Sequence, residues 1–195
     1  MASKKAKPVN YRRKREGKTN YKKRLRLLLS EKPRLVLRLS NTKIVAQIIE
    51  FDVKGDKVLF ASDSNSLKKL GWNFSFKSLP AAYLFGLDFG KKALSQFSDK
   101  EIILDTGLRT PQVKGKIYAF LKGVLDGGLN VLHGSEDVYP IEERLNGKSI
   151  ENYAKLLKKS NEESYKKRFA LNLKNKADPC NMNVKFEEIK INLLK

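Results

Sequence analysis

RLVLRLS (34–40), NT (41–42), KIVAQIIEFD (43–52), VKGD (53–56) and KVLFAS (57–62) run consecutively, and their reading decides the fold. Three β-branched and leucine-rich runs are separated by the turn residues Ser40-Asn41-Thr42 and Lys54-Gly55-Asp56. Runs of this length and composition, punctuated this way, predict strands joined by tight turns. The expectation is a three-stranded antiparallel meander. Side chains alternate across a strand, so Leu35, Leu37 and Leu39 share one face, and Arg34, Val36 and Arg38 share the other. The leucine face would pack on a core and leave both arginines free to meet a partner.

Working outward toward the C-terminus, Ser62-Asp63-Ser64 can cap a short helix that ends at Leu70-Gly71. The aromatics Trp72, Phe74 and Phe76 follow in a loop that they are expected to staple to the core. PAAYLFGLDFGKKALSQF (80–97) predicts a long helix whose small and apolar residues suit tight packing. EIILDT (101–106) predicts a short central strand, and KGKIYAFLKGVLDG (114–127) a second helix that Gly127-Gly128 stops. Strands followed by alternating helix, strand and helix give an α/β class, with a mixed β-sheet covered by helices. Residues 134–146 are acidic and loop-like. A helix resumes near Ser149–Tyr153, and 165–176 is a basic helix or arm.

Toward the N-terminus the chain turns cationic. Net charge is +12 over residues 1–34, +2 over 35–153 and +6 over 154–195. A nearly neutral body between basic ends points to a polyanionic partner. Residues 1–18 carry too little apolar surface to offset the entropy of ordering, so disorder is expected there without a partner. Asn20 or Thr19 then caps a helix over about 20–31, with Tyr21, Leu25, Leu28 and Leu29 on one face. The organisation is an arm at 1–19, a body at 20–134 and a loop and helical basic extension at 135–195.

Tyr11, Arg12, Arg13, Lys14, Arg15, Lys18, Tyr21, Lys22, Lys23, Arg24 and Arg26 make the strongest binding segment, with Tyr11, Arg12, Arg13, Arg15, Lys18, Tyr21 and Arg24 its leading candidates. Arginine pairs with phosphate in a bidentate fork, and tyrosine stacks on unpaired bases. Arg34, Arg38, Asn41 and Lys43 form a second group on the hairpin. Enzyme chemistry is poorly supplied. One His (His133) and one Cys (Cys180) make no zinc site or triad, and neither GxGxxG nor GxxxxGK[ST] occurs. A metal nuclease of ribonuclease-H-like fold is the alternative. It would need Asp105, with Asp52, Asp88 or Asp126 drawn near it. No cofactor, metal or small-molecule substrate is expected, nor a membrane partner, since no run approaches the roughly 18 apolar residues of a span. With no apolar signal-peptide core near the N-terminus, a cytoplasmic protein is expected.

YRRKREGKTNY (11–21), KPRLVLRLSNTKIVAQIIEFDVKGDK (32–57), LGW (70–72), PAAYLFGLDFGKKAL (80–94), ILDTGL (103–108) and KGKIYAFLKGVLDGGL (114–129) occur in this order. Together they resemble the universal large-subunit ribosomal protein eighteen family. The length resembles its archaeal form, and the eukaryotic counterpart is large-subunit ribosomal protein five. The resemblance implies a non-catalytic constituent of the large ribosomal subunit, in the cytoplasm. It further implies binding of 5S rRNA and its attachment to the large rRNA in the central protuberance, beside neighbouring ribosomal proteins. A ribonuclease-H-like body of the translational machinery without an active site is implied too, as is RNA contact by the arm and sheet residues named above. Pro111-Gln112-Val113-Lys114-Gly115 is one residue longer than the family's usual turn, and Asp63-Ser64 stands where HS is usual. After Tyr139 the match thins. Lys166, Lys167 and Arg168 are the RNA-binding candidates of the C-terminal extension.

Overall fold

The computed structural model describes residues 9–194. Helices α1 (Arg12–Arg15) and α2 (Tyr21–Leu28) precede strands β1 (Arg34–Leu39), β2 (Ile44–Glu50) and β3 (Lys57–Asp63). A 3-10 helix (Ser64–Leu70) leads to α3 (Leu79–Phe97), β4 (Ile102–Asp105), α4 (Lys116–Asp126) and β5 (Val131–Leu132). The chain continues through α5 (Glu142–Leu145), α6 (Lys148–Ser160), α7 (Glu162–Arg168), α8 (Ala170–Lys174) and α9 (Met182–Leu194).

The sheet order is β3-β2-β1-β4-β5. β1 pairs antiparallel with β2, and β2 with β3. β1 pairs parallel with β4, and β4 with β5, so the sheet is mixed. Register follows the alternation of the sequence: Leu35 faces Ile48, Leu37 faces Ala46 and Leu39 faces Ile44. All but Leu39 of these six are buried, on the face against which the long helices pack.

α3 is the central helix. Ser78 caps it by accepting from the Ala81 N–H, and Pro80 sits in its first turn, where a missing N–H costs nothing. Its apolar residues are buried almost all round, which suits a helix enclosed on several sides. Phe85 and Phe120 lie 5.3 Å apart between ring centroids, and Phe89 lies 5.9 Å from Phe120. Where α3 crosses α4 the backbones nearly touch. A Cβ on Gly86 would lie 2.2 Å from the Phe120 carbonyl oxygen, and one on Gly123 would lie 2.2 Å from that of Tyr83. Trp72 and Phe74 are buried and meet edge-on at 5.1 Å, so the loop aromatics do staple the chain to the core.

Four features depart from the sequence expectations. Residues 1–8 of the arm lie outside the described residues, but 12–15 form a helical turn rather than disorder, and Tyr11 packs on Tyr21 at 5.3 Å. α2 is shorter than expected and buries none of its residues; Leu25 is 59% exposed, and Leu29, at its C-cap, 74%. The basic segment 165–176 is two short helices, α7 and α8, meeting at the buried Phe169. α9 was not anticipated. Its Met182, Phe186 and Ile189 join the main core, with Phe186 5.7 Å from Tyr83 of α3.

Replacing Gly with Ala in an exposed helix normally gains about 1 kcal/mol of helix propensity. At the α3–α4 crossing the overlap reverses the sign, because added volume in a close-packed site costs about 1–3 kcal/mol or more. Gly123→Ala is expected to lower the urea midpoint clearly, whereas an unchanged midpoint would show that the two helices have room to part.

Candidate nucleic-acid interface

The sheet face opposite α3 and α4 carries a groove of about 580 Å3. Its floor is Arg34, Val36 and Arg38 of β1 with Gln47 and Ile49 of β2, and its walls come from the arm, α2 and the loop after β4. Seven cations line it: Arg13, Lys18, Lys23, Arg24, Arg34, Arg38 and Arg109. Two carboxylates, Asp56 and Asp105, are among its walls.

The carboxylates are already engaged. In the parallel β1–β4 register Val36 lies opposite Asp105, which places that carboxylate on the groove face beside Arg34. Arg34 Nη1 donates to Asp105 Oδ2 at 3.0 Å, and its Nη2 donates to Asp56 Oδ2 at 2.7 Å. Asp56 also accepts from Arg24 of α2 at 2.9 Å, and Asp105 Oδ1 accepts from the Gly107 N–H at 2.8 Å. Lys23 of α2 donates to Thr106 Oγ1 and to the Gly107 carbonyl, both at 3.1 Å. Arg34 is 3% exposed, so the expectation that it stands free is corrected. A buried carboxylate without a partner is costly, and the nearest guanidinium is drawn in to meet it.

Other candidates fall differently. Arg38 is exposed, donating to the carbonyls of Leu37 (3.1 Å) and Asp105 (3.4 Å) while its charge faces the groove. Arg13 is aimed by its bond to Thr19 Oγ1 at 2.9 Å. Lys18 pairs with Glu16 at 2.9 Å, an exposed contact that a phosphate can displace at little cost. Arg12 pairs more loosely with Glu16, at 3.7 Å, and neither Arg12 nor Arg15 lines the groove. Tyr11, 74% exposed, keeps an open ring surface beside Tyr21. Asn41 belongs to a second cavity beyond the hairpin tip, and Lys43 pairs with Asp63 at 2.6 Å. Lys166, Lys167 and Arg168 form the end of α7 and line neither cavity.

Sequence reasoning missed Arg109, whereas Lys23, one of the cations of the N-terminal segment, does line the groove. Lys23 lies one helical turn from Asn20, whose side chain caps α2 by accepting from the Lys23 N–H. That cap was readable and would have oriented the helix. Arg109 sits in the loop after β4, where Thr106 Oγ1 donates to its carbonyl at 2.8 Å, a loop contact with no periodic signal.

The carboxylates of the nuclease alternative are dispersed. Asp105 is committed to Arg34. Asp88 is buried on α3, accepting from Ser66 Oγ and Lys92, and Asp126 of α4 accepts from the Tyr83 hydroxyl at 2.7 Å. Asp88, expected on an exposed helix position, is instead buried on α3, an apolar helix enclosed almost all round. Among the described residues no three His, Cys, Asp or Glu side chains are grouped to hold a metal. Cys180 packs with Tyr165 and Phe169, where burial and then the charge of Asp178 push its thiol up. Among the described residues no helix is long and apolar enough to cross a membrane.

These features define a mixed α/β protein with one face closed by helices and the other presenting organised positive charge. A model of the family described as ribosomal large subunit proteins 60S L5, and 50S L18, matches residues 5–103, and the chain belongs to that family. The family is structural rather than enzymatic. Its members are constituents of the large ribosomal subunit, with ribosomal RNA and ribosomal proteins as partners.

Breaking a buried pair from one side costs about 3–5 kcal/mol, while replacing both partners by apolar groups is often nearly neutral. Arg34→Met is expected to destabilise the chain by that amount, and adding Asp105→Leu to recover most of it. Calorimetric unfolding of the two variants checks this, and equal stability of Arg34→Met and wild type would contradict it.

Proposed function

We propose that the chain binds 5S rRNA and helps attach it to the large rRNA in the central protuberance of a cytoplasmic ribosome, as a structural constituent without catalytic activity. The carrying observation is the groove itself. Five positive charges remain in excess once its two carboxylates are set against its seven cations. A polyanion entering it meets a floor that is already rigid, because Arg34 is locked, and walls that adjust, because Lys18 and Arg13 hold only exposed contacts.

In this reading Arg13, Lys18, Arg24 and Arg38 contact phosphates along the groove, while Arg12 and Arg15 extend the contact outside it. Tyr11 and Tyr21 offer ring faces to unpaired bases. Arg34 acts through position: it holds Asp56, and through it Arg24, in place. Asn41 and Lys43 meet RNA at the hairpin tip, with Lys43 exchanging Asp63 for phosphate. Lys166, Lys167 and Arg168 supply a separate basic surface for large-subunit rRNA. The body is of the ribonuclease-H-like type, used as a platform.

If about six of these cations meet phosphates, log K should fall against log salt with a slope of order −4 to −5. Removing residues 1–18 is expected to leave the body folded by circular dichroism and to weaken 5S rRNA binding by about 100-fold or more. Affinity unchanged at matched salt would sink the assignment of the arm.

A further inference from the structure

Beyond the hairpin tip lies a second cavity, of about 610 Å3, where the β1–β2 turn meets the N-terminal end of α4. Lys77, Arg109, Lys116 and Arg144 reach it from three separate stretches of chain, and no Asp or Glu lines it. Among the described residues none of the four takes part in an ion pair. This sets the cavity apart from the groove, where Asp56 and Asp105 compensate part of the charge. Lys116 registers the crowding. Its amine is held below the ordinary lysine range, first by partial desolvation and then by the charges of Lys77 and Arg109.

The backbone adds to the same field. Gly115 stands at the N-cap of the 11-residue α4 and has no side chain to accept the N–H groups of the first turn. Those N–H groups, with the positive end of the helix dipole, lie beside the cation cluster. A Cβ at Gly115 would lie 2.8 Å from the Gln112 carbonyl oxygen, so the tight approach to the helix depends on glycine. No aromatic ring lines the cavity, which suits phosphate rather than a base. Arg109 and Leu39 line both this cavity and the groove, so the two are contiguous. An anion held here is therefore placed as the continuation of a polymer lying in the groove, rather than as an isolated small molecule.

We propose that this cavity is a second phosphate-binding site, in which Lys77, Arg109, Lys116 and Arg144 hold one or two consecutive phosphodiesters of an RNA strand as it leaves the groove past the hairpin tip. The proposal rests on the reading that the chain binds ribosomal RNA. All four cations are exposed, so their charge can be removed without opening the core. Arg109 serves both sites, which makes Lys116 and Arg144 the discriminating pair.

The test uses the full chain and measures Kd against potassium chloride concentration for 5S rRNA and for an unrelated RNA of the same length. Lys116→Gln with Arg144→Gln is expected to flatten the log–log slope by about 1–2 and to weaken binding about tenfold or more at low salt. Lys116→Arg with Arg144→Lys, which keeps both charges, should hold most of the wild-type slope. An unchanged slope on both RNAs for the Gln variant overturns the cavity, even where Arg13→Gln with Arg38→Gln lowers affinity as the groove requires. Equal wild-type affinity for the two RNAs overturns the 5S assignment instead, and the slope on either RNA still decides the cavity.

Discussion

A guanidinium buried on the uncovered face of a sheet is the constraint on which the binding face depends. Arg34 is held between Asp105, at the end of β4, and Asp56, in the turn before β3, and Asp56 in turn holds Arg24 of α2. Three other segments are thereby tied to one strand. Two arginines and two carboxylates balance within this network, and the remaining cations line the groove around it. Without the two carboxylates, seven like charges around one groove would repel one another and splay its walls.

The opposite face is organised by contact distance rather than charge. Glycines let α3 and α4 approach until backbone meets backbone, and the aromatic rings of Phe85, Phe89 and Phe120 fill the space toward the sheet. This closed side leaves β1 rigid. Arg34 and Arg38 then stand on a strand whose other side cannot shift, so the groove floor is set before any ligand arrives. α9 extends the same closure, since its buried positions rest on α3.

Much of this was legible along the chain. Alternation in 34–40 and 43–52 specified which residues of β1 and β2 face inward, and the cap Asn20 and Pro80 marked two helix starts. α9 carried a signal as well, apolar residues at 182, 186, 189 and 193, diluted by the lysines and glutamates between them. The candidate site was read by charge, which located the basic segments without ranking their members. Arg34 and Arg38 look identical in the pattern, yet one is buried in a salt-bridge network and the other faces solvent. The groove-lining role of Arg109, and the cation cluster beyond the hairpin, had no local signature because their members come from loops and helix ends that only the fold brings together.

Periodicity, turn residues and net charge are local quantities, and they alone determined the first four strands, the long helices α3 and α4, the basic arm and a polyanionic class of partner. Which cations are free and which are spent on carboxylates was decided only in the tertiary structure. That choice depends on the parallel register of β1 with β4, which brings Asp105 to Arg34 across 71 positions of sequence. Pairing charges at that separation is a property of the folded sheet, since no short window of sequence contains both partners.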